Sequence, residues 1–366
     1  MRKLLSKILL RPVLWLTKRF SGSPDSKAVF KALDELQEKI LNKKNDKGKI
    51  IPFEADEGRF IIFSDAHKGG GDNADDFMQS EDNYLGALQY YHHKGFHFIS
   101  LGDSEELWEA SLGAVKKIHP KSFQLEKQFI PANAFTKIYG NHDLYWGNDP
   151  FAAMELKKIY GYDLQVYEGV ILTTLIDDVM LKIFCTHGHQ GDKLSDGNWF
   201  SKWFVARIWA PVQSYLGINP NTPAYDSSLK TKHNQVMYEW SVNHKNVLLV
   251  TGHTHQPVFA SLTHLERLYR ELLICRQNND DEGRTRAEKE IDIRKHQYHQ
   301  VSEDYLKMLP TYFNSGCCCY DDGDITGLEI DKGCMRLVKW SKKSGTPARK
   351  VLEEVELKEL IRYFDN

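Results

Sequence analysis

Aspartates, histidines and one asparagine collect at five points of the chain, each directly after an apolar run. They are Asp65-Ala66-His67, Gly102-Asp103, Gly140-Asn141-His142-Asp143, His187-Gly188-His189 and Gly252-His253-Thr254-His255. Singly, each has an ordinary explanation: Gly-Asp makes a turn, Asp and Asn cap helices, and a histidine at a strand end is often only hydrogen-bonded. Five such ends in order, with no cysteine among them, point to chemistry. Carboxylate, amide oxygen and imidazole suit Mn²⁺, Fe²⁺, Zn²⁺ or Co²⁺, with Mn²⁺ preferred, and the missing thiolates argue against a structural zinc knot. The donors are too many for one ion. Two ions about 3.5–4 Å apart, sharing one carboxylate, would use them all and would polarise a phosphoryl group from both sides.

Such residues converge only if the intervening elements bring them to one edge. Phe60 to Phe63 is an unbroken apolar run ending in a polar loop, and a helical stretch from Asp82 to Lys94 leads to a second strand, Phe96–Leu101. The segment NAFTKIYGNHD reads as a third strand, VILTTL and VMLKIFCTHGH as two strands about the turn Ile176-Asp177-Asp178, NVLLVTGHTH as another and CMRLVKW as a late one. Strands alternating with helices, with polar residues at their carboxyl ends, predict a layered α/β fold whose site lies along that edge. GGGDNADD lacks the Gly-Lys-Ser/Thr of a P-loop and reads as a mobile acidic loop at the rim.

Two segments interrupt the rhythm. Residues 198–244 are aromatic and helical in pattern, with Trp199, Phe200, Trp203, Phe204, Trp209 and Tyr215; they read either as the buried face of a covering helix or as an apolar pocket wall. Residues 261–309 are highly charged. One apolar stripe runs through Leu262, Leu265, Leu268 and Leu272, and another through Ile291, Tyr298, Val301, Tyr305 and Met308. NNDDEG lies between them, so a helical hairpin is expected, through which copies of the chain could associate.

The 366 residues, 41% hydrophobic and 27% charged with a net charge of −2, describe a globular chain and give no basic excess for nucleic acid. Six cysteines, three of them the run Cys317-Cys318-Cys319, have neither zinc-ribbon nor disulfide-framework spacing, so a reduced, cytoplasmic setting is expected. The first twenty residues stand apart. They carry Arg2, Lys3, Lys7, Arg11, Lys18 and Arg19 with no acid, and Leu4, Leu5, Ile8, Leu9, Trp15 and Leu16 fall on the opposite side of a helix. Charges interrupt every apolar run well short of the ~20 residues of a membrane span. The pattern is that of an interfacial helix drawn to an anionic membrane surface, or of a helix packed on its own domain or a partner.

The ordered motifs D-x-H, G-D, G-N-H-D, H and G-H-x-H resemble those of the calcineurin-like metallophosphoesterase superfamily, over roughly residues 59–260, with YFNSGCCCYDDGDITGLEI similar to that family's closing strands. The resemblance implies a four-layer α/β/β/α sandwich with helical insertions, here one domain over residues 25–366 behind a basic segment at 1–24. It implies that Asp65, His67, Asp103 and His255 hold one metal, and that Asp103, Asn141, His187 and His253 hold the other. His142 would contact the phosphate and protonate the leaving oxygen, Asp143 would orient His142, and a metal-bridging hydroxide would attack phosphorus in line. THGHQGD offers both His187 and His189 for the fourth motif; His187, first after the strand, is preferred, which leaves His189 facing substrate. The basic start, the aromatic segment and GDSEELWE are similar to the UDP-2,3-diacylglucosamine pyrophosphatases of bacterial lipid A synthesis. That implies a phosphorylated or lipid-linked substrate met at the inner face of the membrane. Soluble-substrate phosphatases and phosphodiesterases, and a non-catalytic scaffold, are the alternatives.

Overall fold

The computed structural model describes residues 25–42, 47–72, 75–191, 227–294 and 308–364. The basic segment 1–24, the aromatic run 199–215 and residues 298, 301 and 305 of the second expected stripe lie outside the described residues.

Two seven-stranded sheets dominate. One contains β1 (Gly48–Pro52), β6 (Gly169–Ile176), β7 (Val179–Thr186), β8 (Val247–Thr251), β9 (Val258–Phe259), β10 (Leu262–Thr263) and β11 (Tyr312–Asn314), ordered β1-β6-β7-β8-β11-β9-β10. The other contains β2 (Phe60–Phe63), β3 (His97–Leu101), β4 (Phe135–Ile138), β5 (Val166–Tyr167), β12 (Ile325–Asp331), β13 (Cys334–Lys343) and β14 (Thr346–Glu356), ordered β14-β13-β12-β2-β3-β4-β5. Strands β2 to β5 run parallel, as do β7, β8 and β11, so their carboxyl ends share an edge within each sheet. Between β6 and β7, Asp177 and Asp178 both take left-handed φ, 47° and 65°, as a tight two-residue hairpin turn requires.

Strand alternation sets the layers. Phe60, Ile62, Ile99 and Leu101 from one sheet meet Leu181, Ile183, Cys185, Leu248 and Val250 from the other in a core between the sheets. The residues between them point outward: Ile61, Phe63 and Phe98 into a helix-covered core, Phe184, Val247 and Leu249 into another. The first cover includes α2 (Glu81–His93), α3 (Leu112–Ile118), α4 (Pro120–Gln128), α5 (Tyr145–Asn148) and α6 (Ala152–Tyr160). The second is α1 (Ser26–Leu41), which buries Val29, Leu33, Leu36 and Ile40 along one face, and α7 (Ser227–Val242), which buries Val236, Met237 and Trp240. The result is the expected α/β/β/α sandwich.

Two further helices, α8 (His264–Gln277) and α9 (Asp281–Arg294), form a hairpin in which Leu265, Leu268 and Leu272 pack on Ala287 and Ile291. Thr263 and Glu266 close a reciprocal cap at its start. Arg267 Nε donates to Glu353 Oε1 at 2.8 Å, which ties the hairpin to β14. The rim loop after the first motif differs from the sequence expectation where it is described. His119 and Asp75 bury each other, 2.8 Å apart, and Gly71 N–H donates to the same Asp75 carboxylate, so the loop is anchored to the helical layer. Asp75 reads as part of a mobile rim only while the histidine that meets it, more than forty positions away, is unseen.

Behind the edge that carries the motifs lies a charge network without solvent. Lys68 Nζ sits 3.0 Å from Glu105 and 2.6 Å from Glu126, and Lys137 Nζ sits 3.0 Å from Glu105. All four side chains are fully buried, and Tyr84 and Tyr160 donate to Glu126 and Trp146 to Glu105. Two cations and two anions balance, so each is compensated as burial demands. Lys68 follows His67 and Glu105 lies two residues after Asp103, so the network fixes two of the five motif loops. Glu105→Gln leaves two buried ammonium groups against one carboxylate, and is expected to lower stability by about 3–5 kcal/mol. Urea unfolding checks this; a loss below 1 kcal/mol would contradict it.

Candidate metal centre

The five motif loops meet where the carboxyl ends of β2, β3 and β4 face those of β7 and β8. Local backbone makes the approach. Asp65, His67, Asp103, His253 and His255 all take left-handed φ, between 50° and 70°, a conformation disfavoured for side-chain-bearing residues and held here by neighbouring strands. Asp65 N–H donates to Gly102 O, His67 N–H to Asp103 O, and Gly252 N–H to His187 O, at 3.1, 2.9 and 3.0 Å. Gly102 (φ 89°) is required twice over, because a Cβ there would meet the His187 ring at 2.6 Å. That is why a glycine precedes Asp103.

The side chains form two groups joined by a third, His67, Asp103 and His142, which shares one member with each. One nitrogen or oxygen from each of Asp65, His67 and His255 lies within 4.8 Å of the others, and the same holds for Asp103, His187 and His253. Asn141 Oδ1 is 3.2 Å from His187 Nε2, and Asp103 Oδ2 is 3.0 Å from that nitrogen and 3.8 Å from His67 Nε2. Asp103 therefore faces both groups. His187 Nδ1 donates to Leu101 O at 2.9 Å and His67 Nδ1 to Glu106 at 2.9 Å, which turns the other nitrogen of each ring toward the centre. His189 belongs to neither group; it is buried with its ring 5.4 Å from that of His187.

The electrostatics fit a cation pair. Burial alone would push the Asp65 carboxyl up, but His187 and His255 hold it well below the carboxylate range; Asp103 is likewise held down, by His187 and His142. Burial pulls His187 and His255 down, yet Asp103 and Asp65 raise the first to about 9, and Cys317 and Asp65 the second to about 9. Burial and the neighbouring His233 and His187 keep His253 neutral, and its Nε2 is buried without a hydrogen-bond partner. An anionic pair, a ring of imidazoles and the unpartnered His253 nitrogen form a donor set that divalent cations would satisfy.

Three residues near the centre escaped the sequence reading. Glu106 Oε2 lies 2.9 Å from His67 Nδ1 and 2.6 Å from His142 Nδ1, and those two rings hold its carboxyl, despite burial, at about 2. Trp108 stacks on His142 with centroids 4.0 Å apart and planes at 22°. His233 from α7 packs 5.1 Å from His253. Glu106 and Trp108 stand in the same short segment as Asp103, where an acid and an aromatic after a turn look like a helix start. Asp143, expected to orient His142, makes its hydrogen bonds to backbone. Its carboxylate accepts from the backbone N–H groups of Gly140, Asp103 and Ser104, at 2.6, 3.3 and 2.8 Å, and so clamps the second motif to the third. The carboxylate beside His142 is Glu106.

A calcineurin-like phosphoesterase family model matches residues 58–257, more than half of the 366 residues. The chain belongs to this family. No curated protein matches the chain. Among solved structures it is similar to vacuolar protein sorting 29 from Cryptosporidium parvum, at 11% identity over 82% of this chain and 98% of that one, with a TM-score of 0.33. Calcineurin-like phosphoesterases bind divalent metals, and the two histidine–aspartate groups of this chain fall within or at the end of the matched span. Among the described residues, no helix is long and apolar enough to cross a membrane.

The raised histidines give a signed expectation for metal loading. With pKa values near 9, His187 and His255 hold protons at neutral pH, whereas a metal needs the bare nitrogen. Loading at neutral pH should therefore release protons, and apparent affinity should rise between about pH 6 and 8. Calorimetry in two buffers of different ionisation enthalpy reads the proton count. Heats independent of the buffer would contradict this.

Proposed function

We propose that this chain hydrolyses a phosphate ester or pyrophosphate with two divalent cations, Mn²⁺ foremost, and that its substrate is a membrane-associated nucleotide-sugar lipid precursor. One ion would be held by Asp65, His67, Asp103 and His255, the other by Asp103, Asn141, His187 and His253. Such ions supply charge for the phosphoryl oxygens and acidify bound water.

The observation that carries the hydrolase reading is His142. It is buried in one donor group with His67 and Asp103, its Nδ1 lies 2.6 Å from Glu106 Oε2 and Trp108 stacks on its ring face, yet neither of the two four-residue ligand sets proposed here uses it. A structural histidine would not need two such constraints. An imidazole held in one orientation is suited to donate to a leaving oxygen. The second ring nitrogen is thereby reserved for substrate. A non-catalytic scaffold could lose this residue without cost; here every motif position keeps its functional group.

The lipid-precursor part rests on sequence. The basic, apolar-faced residues 1–20 would hold the chain at an anionic cytoplasmic membrane face, each Lys or Arg contributing about 1 kcal/mol. The aromatic run 199–215 would accept acyl chains, and His189 would face the substrate. Pyrophosphate-linked nucleotide sugars, acylated and not, compared with phosphomonoesters and phosphodiesters in the presence of Mn²⁺, test the substrate class. The acylated pyrophosphate in vesicles is expected to turn over best, and removal of residues 1–20 to reduce that activity while sparing soluble substrates. Equal turnover of all four classes, or no effect of truncation, would contradict the lipid-linked reading.

His142→Ala tests the chemistry. It should keep both metals and lose about 10²–10⁴-fold in rate, whereas Asp103→Ala should lose metal as well. Metal analysis beside kcat checks both. Full turnover by metal-stripped wild type would contradict the proposal outright.

A further inference from the structure

The run Cys317-Cys318-Cys319 follows β11 into the centre, and its three thiols part company there. Cys318 belongs to the helix-covered core, with its Sγ toward Thr326 O, while its N–H donates to Asp65 O at 3.1 Å. Cys317 and Cys319 are also buried, but on the side of His255. Cys319 Sγ lies 3.8 Å from His255 Nδ1, and both sulfurs and a His255 nitrogen fall within 4.8 Å of one another. His255 thus has two faces. Its Nε2 lies 3.3 Å from Asp65 and 3.2 Å from His67, toward the oxygen-rich groups, and its Nδ1 lies toward sulfur.

We propose that Cys317, Cys319 and His255 Nδ1 form a separate site for a thiophilic divalent cation, Zn²⁺ or Cd²⁺, next to the oxygen- and nitrogen-lined pair. The donor sets select different ions. Two sulfurs and one imidazole suit a soft or borderline cation in tetrahedral geometry, whereas the neighbouring carboxylates, asparagine and imidazoles suit harder ones. A water would complete four-coordination. Each thiol that binds gives its proton to solvent. A neutral imidazole ligates through one nitrogen and keeps a proton on the other, so a cation on Nδ1 competes with the hydrolytic centre for His255. Cd²⁺ in excess should then inhibit. That consequence alone rests on the proposed hydrolase reading.

Cd²⁺ titration of the full chain, followed by ultraviolet absorption, tests the site without using activity. Cadmium held by sulfur gives a thiolate charge-transfer band, while cadmium held by carboxylate and imidazole gives none. The band should saturate with one equivalent bound to this site, vanish in Cys317→Ser/Cys319→Ser, and persist in Cys318→Ser and Cys275→Ser. A wild type with no band, or a band that survives the double substitution, overturns the site. If circular dichroism shows that the double variant does not fold, cadmium-edge X-ray absorption of the wild type decides. Two sulfur neighbours support the site, and one or none overturns it. Absence of phosphoester hydrolysis would count against the proposed function and leave this result unaffected.

Discussion

Two carboxylates, Asp65 and Asp103, are buried within reach of four imidazoles where the two sheets meet, and the surrounding structure serves to hold them there. A buried carboxylate is stable only when its charge is met by protons, donors or metal. Here His187 and His255 meet it by holding protons above neutrality, and a divalent cation would meet it by displacing them. This one constraint makes the left-handed backbone at the motif residues tolerable and gives the glycines beside them their purpose. A Cβ at Gly140 would collide with Asp103, and one at Gly252 with Asp65.

Rigidity comes from behind the centre. The Lys68–Glu105–Glu126–Lys137 network locks the first two motifs to the helical layer, and Asp143 clamps the second to the third through backbone amides. Asn314 does similar work for the last motif, donating to Gly252 O at 2.6 Å. The ligands can therefore keep their places while protons or cations exchange between them. Glu106 joins the two halves of the site, since one oxygen lies beside both His67, a proposed ligand, and His142, the proposed acid. A change at either ring will be felt at the other.

Much of this was legible in the sequence, for identifiable reasons. The strands β2, β3, β4, β7 and β8 are short apolar runs with polar ends, so their positions and the edge they share followed from pattern alone. The turn at Asp177-Asp178 and the start of the charged hairpin also followed. Three things did not. The edge strand β14 alternates charged and partly exposed residues through Thr346–Glu356, which hides its period. Helix α1 had no motif to draw attention to its buried face. Glu106, Trp108 and His233 act through contacts made across the fold, and the mutual burial of Asp75 and His119 is of the same kind. Asp143 shows the converse: adjacency to His142 drew attention away from the backbone amides of Gly140, Asp103 and Ser104 that its carboxylate accepts from.

The central claim is that Asp103 is shared by two cations. Electron paramagnetic resonance of the Mn²⁺-loaded chain tests it directly, because two ions on one carboxylate about 3.5–4 Å apart are spin-coupled. The account predicts a coupled signal at two equivalents of Mn²⁺ that gives way to isolated Mn²⁺ in Asp103→Asn. A wild type that binds a single uncoupled ion, or coupling that survives loss of the Asp103 carboxylate, would contradict it.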